Sequence, residues 1–288
     1  MSSLLTVWVQ GIGLLGPGLD SWHGAAAVLR GEQPHASTPT VLLPPARLPA
    51  AERRRAGSAV KVALAVADAA VEQAQVDPAT LATVFTSSSG DGMNCHVLCE
   101  TLASSTPAVS PTRFTNSVHN AAAGCWHIAV GSRAASTSLC AFDASFGAGL
   151  IDAVTSVQVS ARAVLLVAND SPYPEPLHAK RAVPDHFGVA LLLAPVADAR
   201  SIAALTITLT GGRGAPTPCR DASLDALRRA IPAAAALPLL VALARPEAGM
   251  QRVALDFLPA LGLQIDVVPI APAMPTVSTM PALPALRR

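Results

Sequence analysis

Ser136-Thr137-Ser138-Leu139-Cys140-Ala141-Phe142-Asp143-Ala144-Ser145-Phe146-Gly147 is the stretch on which the fold turns. Ser136 to Ala141 reads as a short buried strand. Asp143 to Ala161 reads as a helix carrying Gly147 and Gly149 on its first turns. A sharp strand-to-helix turn is a usual seat for a nucleophile, because the helix N-terminus favours negative charge there. Here the turn carries Asp143, not Ser or Cys. Aspartate is a good N-cap, so the position also has a purely structural use. Cys140 lies too early for the helix dipole to activate its thiol, which predicts an inert core residue. Asp143-Ala144-Ser145-Phe146-Gly147 lacks the glycine two before Ser145 that a nucleophile elbow requires.

Working outward, Asn116 to Gly124 opens a helix. Val118 to Gly131 is rich in small residues, which permits close packing against another helix or subunit. Leu81 to Thr86 and the uncharged Ala163 to Ala168 read as strands, the second covered on both faces. Leu4 to Gln10 reads as an opening strand, followed by a glycine-studded turn and a short helix from Asp20 or Ser21 to Arg30. Ala56 to Gln75 has helical apolar spacing, stopped by Asp77-Pro78. The long Ser87 to Arg113 connection holds a short helix at Asn94 to Leu102, and connections of that length tend to be functional. Phe187 to Ala194 and Ile202 to Leu209 read as adjacent strands, with Gly211 to Pro218 a flexible break. Beyond it the spacing predicts helix Leu224 to Ile231, strand Leu239 to Ala244, helix Gln251 to Leu258, strand Leu263 to Val268 and a loose tail from Pro269. Alternating strands and helices predict an α/β fold with a layered sheet, divided into segments 1–212 and 213–288.

The chain is 51% hydrophobic but 3% aromatic, so its core is built from Ala, Val and Leu. A net charge of +1 leaves no electrostatic footprint for nucleic acid. The short basic run Arg53-Arg54-Arg55 reads as a solvated helix face. Ile231 to Ala244 is apolar but interrupted by Pro232 and Pro238, so no membrane span is expected. No basic leader region precedes the first strand, and the five cysteines form no regular framework, which together suit a cytoplasmic protein.

Three motifs invite a functional reading and have a plainer one. Gly11-Ile12-Gly13-Leu14-Leu15-Gly16 matches G-x-G-x-x-G, but Pro17 and Gly18 stand where a cofactor helix would continue, so a tight connection is preferred and no cofactor is expected. Cys95-His96-x-x-Cys99 offers soft ligand atoms without a second pair at metal spacing, so buried neutral residues and no metal are expected. A Ser-His-Asp hydrolase needs a late histidine, and His186 beside Asp185 is the one candidate.

Taken in order, Val7 to Pro17, Ser21-Trp22 to Gly31, Asn116 to Gly131 with Arg133 and Ser136, and Phe187 to Leu193 resemble a β-ketoacyl synthase. The resemblance spans roughly Leu4 to Gly212. It implies a thiolase-like layered αβαβα fold, the N-terminal half followed by a truncated C-terminal half. Counting from Arg133 through Ser136, the family's nucleophilic Cys falls on Asp143. The family's two histidine segments, one like His-Gly-Thr-Gly-Thr and one like Gly-His, are missing. This pattern resembles a chain-length factor, the inactive partner of a ketosynthase, in the short form of aryl polyene and xanthomonadin-type pigment pathways. The resemblance implies no catalysis by the chain alone, a heterodimer with a catalytic ketosynthase subunit, and contact with acyl carrier protein through that complex. It also implies that Thr115 to Asn120 and the loop before it wall the tunnel in which the chain grows. The tunnel and interface residues would be Met93, Phe114, Asn116, Ser117, Val118, His119, Asn120 and Trp126. The rival expectation is an acyl-thioester decarboxylase or hydrolase using Asp143, Ser145 or Cys140.

Overall fold

The computed structural model describes residues 5–212 and 214–270. Eight strands form one sheet: β1 (Leu5–Leu15), β2 (Ala82–Thr86), β3 (Ser136–Leu139), β4 (Val164–Asp170), β5 (Phe187–Ala194), β6 (Ala203–Gly211), β7 (Gln251–Leu258) and β8 (Leu261–Pro269). The helices are α1 (Ala26–Arg30), α2 (Ala50–Arg55), α3 (Ser58–Ala74), α4 (Gly92–Ala103), α5 (Pro111–Thr115), α6 (Ala121–Val130), α7 (Ser145–Ser160), α8 (Leu177–Lys180), α9 (Ala222–Ala230) and α10 (Leu237–Leu243). The sheet order is β3-β2-β4-β5-β1-β6-β8-β7. β2 runs parallel to β3 and β4, and every other pairing is antiparallel.

β4 and β5 are buried along their whole length, and their side chains alternate between two cores. Leu165, Val167, Ala190 and Leu192 face α3 and Trp126. Val164, Leu166, Leu191 and Leu193 face α7 and the segment from Ile231 to Leu243. Helices therefore cover both faces of the central strands. The end of the sheet formed by β7 and β8 reaches α7 as well: a Cβ added to Gly147 would lie 3.2 Å from Phe257 and 3.4 Å from Leu263.

Several expectations are corrected. The run Gly11-Ile12-Gly13 is not a turn but part of β1, which continues to Leu15. A Cβ on Gly13 would meet the Val66 carbonyl oxygen at 1.8 Å, and one on Gly11 the Ala70 oxygen at 2.2 Å. These glycines let α3 lie against the strand and cradle no phosphate. β5 and β6 are not neighbours, since β1 lies between them. β3 is an edge strand with an exposed start, not a buried one. Leu239 to Ala244 belongs largely to α10, because Pro238 sits in the first helical turn, where its missing N–H costs nothing. Gln251 to Leu258 is strand β7, its buried Val253 and Leu255 spaced at a period of two and Arg252 paired across to Asp266 at 2.7 Å. The residues beyond 213 thus add β7 and β8 to the same sheet and α10 to the same core. The tail expected to be loose lies, from residue 271 onward, outside the described residues.

Candidate functional site

β3 ends at Leu139, a single 3-10 turn spans Phe142–Ala144, and α7 starts at Ser145. Phe142 has φ +54°, a left-handed conformation costly for an aromatic residue. The strained residue of the turn is therefore one before Asp143. Ser145 is buried and pins this turn: its Oγ accepts from Ala141 N at 3.0 Å and donates to the Phe142 carbonyl at 2.7 Å. Thr86 Oγ1 in turn donates to the Ser145 carbonyl at 2.9 Å.

Asp143 makes no capping hydrogen bond to α7. Its carboxylate pairs with the Arg181 guanidinium instead. Arg181 lies over the Phe142 ring, 3.9 Å from its centre, and its Nη1 donates to the Tyr173 hydroxyl at 3.1 Å. The Tyr173 hydroxyl is 3.2 Å from Ser88 Oγ. Ser88 directs its Oγ (2.6 Å) and its backbone N–H (2.9 Å) at Asp170 Oδ1, and Ala233 N donates to Oδ2 at 2.8 Å. Burial pushes the Asp170 carboxyl up to about 6, against the pull of these donors and of Arg181. One polar chain thus runs from the core to the surface of the turn.

The other candidate nucleophiles are engaged elsewhere. Cys140 is exposed just past β3, correcting the expectation of a core residue, and its Sγ donates to the Ser88 carbonyl at 3.0 Å. His186 pairs through Nδ1 with Ser171 Oγ at 3.0 Å, and burial lowers its pKa. Its neighbour Asp185 accepts from Thr40 N at 3.0 Å, so this pair fastens a loop. Cys95 and Cys99 lie exposed on α4, not buried as expected, and His96 approaches Glu100 at 3.1 Å. Among the described residues no group of three or more His, Cys, Asp or Glu could hold a metal ion. Nor is any described helix long and apolar enough to cross a membrane.

The expected tunnel residues divide. Met93 on α4, Phe114 on α5 and Val118 before α6 are exposed, as are Leu102, Ile128 and Phe142. Asn116 Nδ2 donates to the Arg55 carbonyl at 3.4 Å, and Ser117 Oγ to the Phe114 carbonyl at 2.7 Å. His119 and Asn120 line a groove of about 520 Å³ with Gly124, His127, Ser136 and Ser138, between α6 and β3, the edge strand among the described residues. Trp126 lies elsewhere: it is fully buried against the sheet, and its Nε1 finds no acceptor among the described residues. Sequence reasoning did not single out Arg181, Tyr173, Ser88 or Asp170. Each sits in a connection or at a strand end with no motif around it.

The β-ketoacyl synthase N-terminal domain profile matches residues 22–225. Comparison with curated proteins finds no significant match. Among solved structures, one with 25% identity and a TM-score of 0.68 is a ketosynthase (ApeO) in complex with its chain length factor (ApeC) from Xenorhabdus doucetiae; the alignment covers 91% of this chain and 99% of that one. The ishigamide ketosynthase/chain length factor aligns with a TM-score of 0.71 at 15% identity, over 92% and 100% of the two chains. The AntDE:AntF structure, an acyl-carrier protein in complex with its type II polyketide ketosynthase, shares the fold with a TM-score of 0.71 at 11% identity, over 92% and 99%. A profile match over most of the chain, on a thiolase-like sheet built as above, places this protein in the β-ketoacyl synthase family.

Proposed function

We propose that this chain is a non-catalytic chain-length factor that pairs with a catalytic ketosynthase and shapes the tunnel in which a polyketide or polyene pigment chain grows. The carrying observation is the occupied turn. Counted from Arg133 through Ser136, the family's thiol position falls on Asp143, and in this chain Asp143 is latched to Arg181. A carboxylate cannot hold an acyl thioester, and none of the bonds made by His186 reaches this turn to stabilise an enolate. The exposed apolar side chains of Met93, Phe114, Val118 and Ile128, together with the edge position of β3 in the sheet of the described residues, supply the kind of surface that a partner covers. In this reading Met93, Phe114 and the segment from Asn116 to Asn120 meet the ketosynthase and close the tunnel. Acyl carrier protein then contacts the pair, not this chain alone, and the complex works in the cytoplasm.

The rival reading, decarboxylation or hydrolysis by Asp143, Ser145 or Cys140, has less support, because Ser145 is spent on the turn and the Cys140 thiol on the Ser88 carbonyl. Co-expression with a ketosynthase bearing an intact Cys-His-His set tests the proposal. The two chains should co-purify, and intact-mass spectrometry during synthesis should find acyl groups on the partner alone. An acyl adduct on this chain, or condensation by it in isolation, would overturn the reading.

A further inference from the structure

We propose that the cavity between the end of α1, the entry to α9 and the corner after α10 binds a small phosphate-bearing anion, held by Arg245 and Arg220. None of its lining residues belongs to the turn around Asp143, so this is a second site on the molecule.

Arg245 supplies the observation. Its side chain is half-buried, and its guanidinium makes no ion pair or hydrogen bond among the described residues. The Nε is sealed from solvent without an acceptor. A sheltered charge with no counter-charge is costly, so a partner is expected. The outer nitrogens offer the place for one. Arg245 and Gly31 line the same cavity, and Nη2 would stand 3.0 Å from a Cβ added to Gly31. The guanidinium charge is spread over its three nitrogens, so an oxyanion on the outer pair compensates the charge that Nε shares. Arg220, exposed on the same lining, is also without a partner among the described residues.

The carboxylates nearby are committed elsewhere. Glu32 takes Arg30 through both oxygens, at 2.6 and 2.9 Å. Asp221 accepts from the backbone N–H groups of His35, Ser223 and Leu224, at 3.1, 2.9 and 3.0 Å. Glu247 acts on Arg30 through its charge but pairs with neither Arg220 nor Arg245. Two unclaimed guanidinia therefore face one cavity of about 580 Å³, within the range of small-molecule sites. Its frame is fixed in advance. Asp221 ties residue 35 to the start of α9, and Gln251 Nε2 donates to the Ala242 and Arg245 carbonyls at 2.9 and 3.3 Å. Guanidinium groups fork onto carboxylate or phosphate oxygens, and a phosphate dianion matches two cations where a single carboxylate matches one. The lining carries no large apolar side chain, which disfavours an acyl chain or lipid.

The test is titration calorimetry of the full-length chain with pyrophosphate at low ionic strength, with citrate as the carboxylate control. The wild type should bind pyrophosphate saturably and citrate more weakly. Arg245→Gln and Arg220→Gln should each weaken pyrophosphate binding on the order of tenfold. Arg54→Gln, which removes a guanidinium outside the cavity, should leave it unchanged. No saturable binding by the wild type, citrate binding as tight as pyrophosphate, or an equal loss in Arg54→Gln would overturn the proposal, as would full affinity in the two cavity variants. If Arg245→Gln fails to fold, Arg220→Gln at its exposed position decides alone: weakened binding supports the site and full affinity overturns it. The measurement needs no ketosynthase, so its failure is separate from a failure to form the heterodimer.

Discussion

Ser88 gives both its hydroxyl and its backbone N–H to a single oxygen of Asp170, at 2.6 and 2.9 Å, while the other oxygen receives Ala233 N. One buried carboxylate thereby ties the loop after β2 to the Pro232–Ala236 turn of the C-terminal segment. The fixed Ser88 then supports Tyr173, and through it Arg181.

The pH dependence of this tie has a definite sign. Burial raises the Asp170 carboxyl from 3.8 to about 6, with Arg181 the charged group opposing the rise. The fold therefore binds the proton more tightly than the unfolded chain does. The contribution is fully present below about pH 3.8 and is lost as pH climbs through about 6, a loss on the order of 2 to 3 kcal/mol. Asp170→Asn titrates nothing at this position and presents an N–H₂ to one of its donors. We expect it to be destabilised by roughly 1–3 kcal/mol at low pH. The deficit should shrink as pH rises from 4 to 7, as read by urea denaturation at several pH values; a deficit that grows over this window would contradict the assignment.

Gly13→Ala tests the role of the glycine run. Its Cβ would lie 1.8 Å from the Val66 oxygen on α3, a backbone atom that cannot swing away. The expected cost is about 3 kcal/mol or more, or loss of soluble protein. Gly124→Ala is the control, since nothing lies within 4 Å of its added Cβ. It should fold normally, and similar thermal midpoints for the two variants would refute the packing account.

The central layers were legible because their signals are local. The helical apolar spacing before Asp77-Pro78 gave α3, and the uncharged Ala163 to Ala168 gave a strand buried on both faces. The end of β1 is hidden because its glycines read locally as a turn, when the reason for them is α3, more than 50 residues away. Gln251 to Leu258, the strand β7, is too short for its sequence to separate a helical from a strand period, and only pairing with β8 decides. At the site, the carboxylate on the turn is legible in the sequence and its partner is not. Arg181 follows Asp143 by 38 positions, and no spacing rule brings two such residues together.

Trp126 separates a core role from a tunnel role. Its indole is fully buried and its N–H has no acceptor among the described residues. Trp126→Phe removes an unpaired donor along with some volume, so stability should change by about 1 kcal/mol or less, whereas Trp126→Ala should cost roughly 3–5 kcal/mol. Product length made by the complex with Trp126→Phe should equal that of the wild type. A shift in length from this conservative change would return Trp126 to the tunnel wall.

Phe114 and Val118 carry the test of the docking face. Phe114 is 69% and Val118 53% exposed, so the isolated chain has little to lose when either is changed. Phe114→Asp and Val118→Asp should each move stability by no more than about 0.5 kcal/mol. In the complex the same carboxylates would be buried without partners, and affinity for the ketosynthase should fall at least tenfold, measured by pull-down and by surface plasmon resonance. Met93→Ala is the milder companion: it leaves pairing intact and enlarges the space at the interface, so longer products should accumulate. Full affinity in both aspartate variants would place the ketosynthase on another face of the molecule. Unchanged product length in Met93→Ala would remove that residue from the tunnel end while leaving the pairing itself untouched.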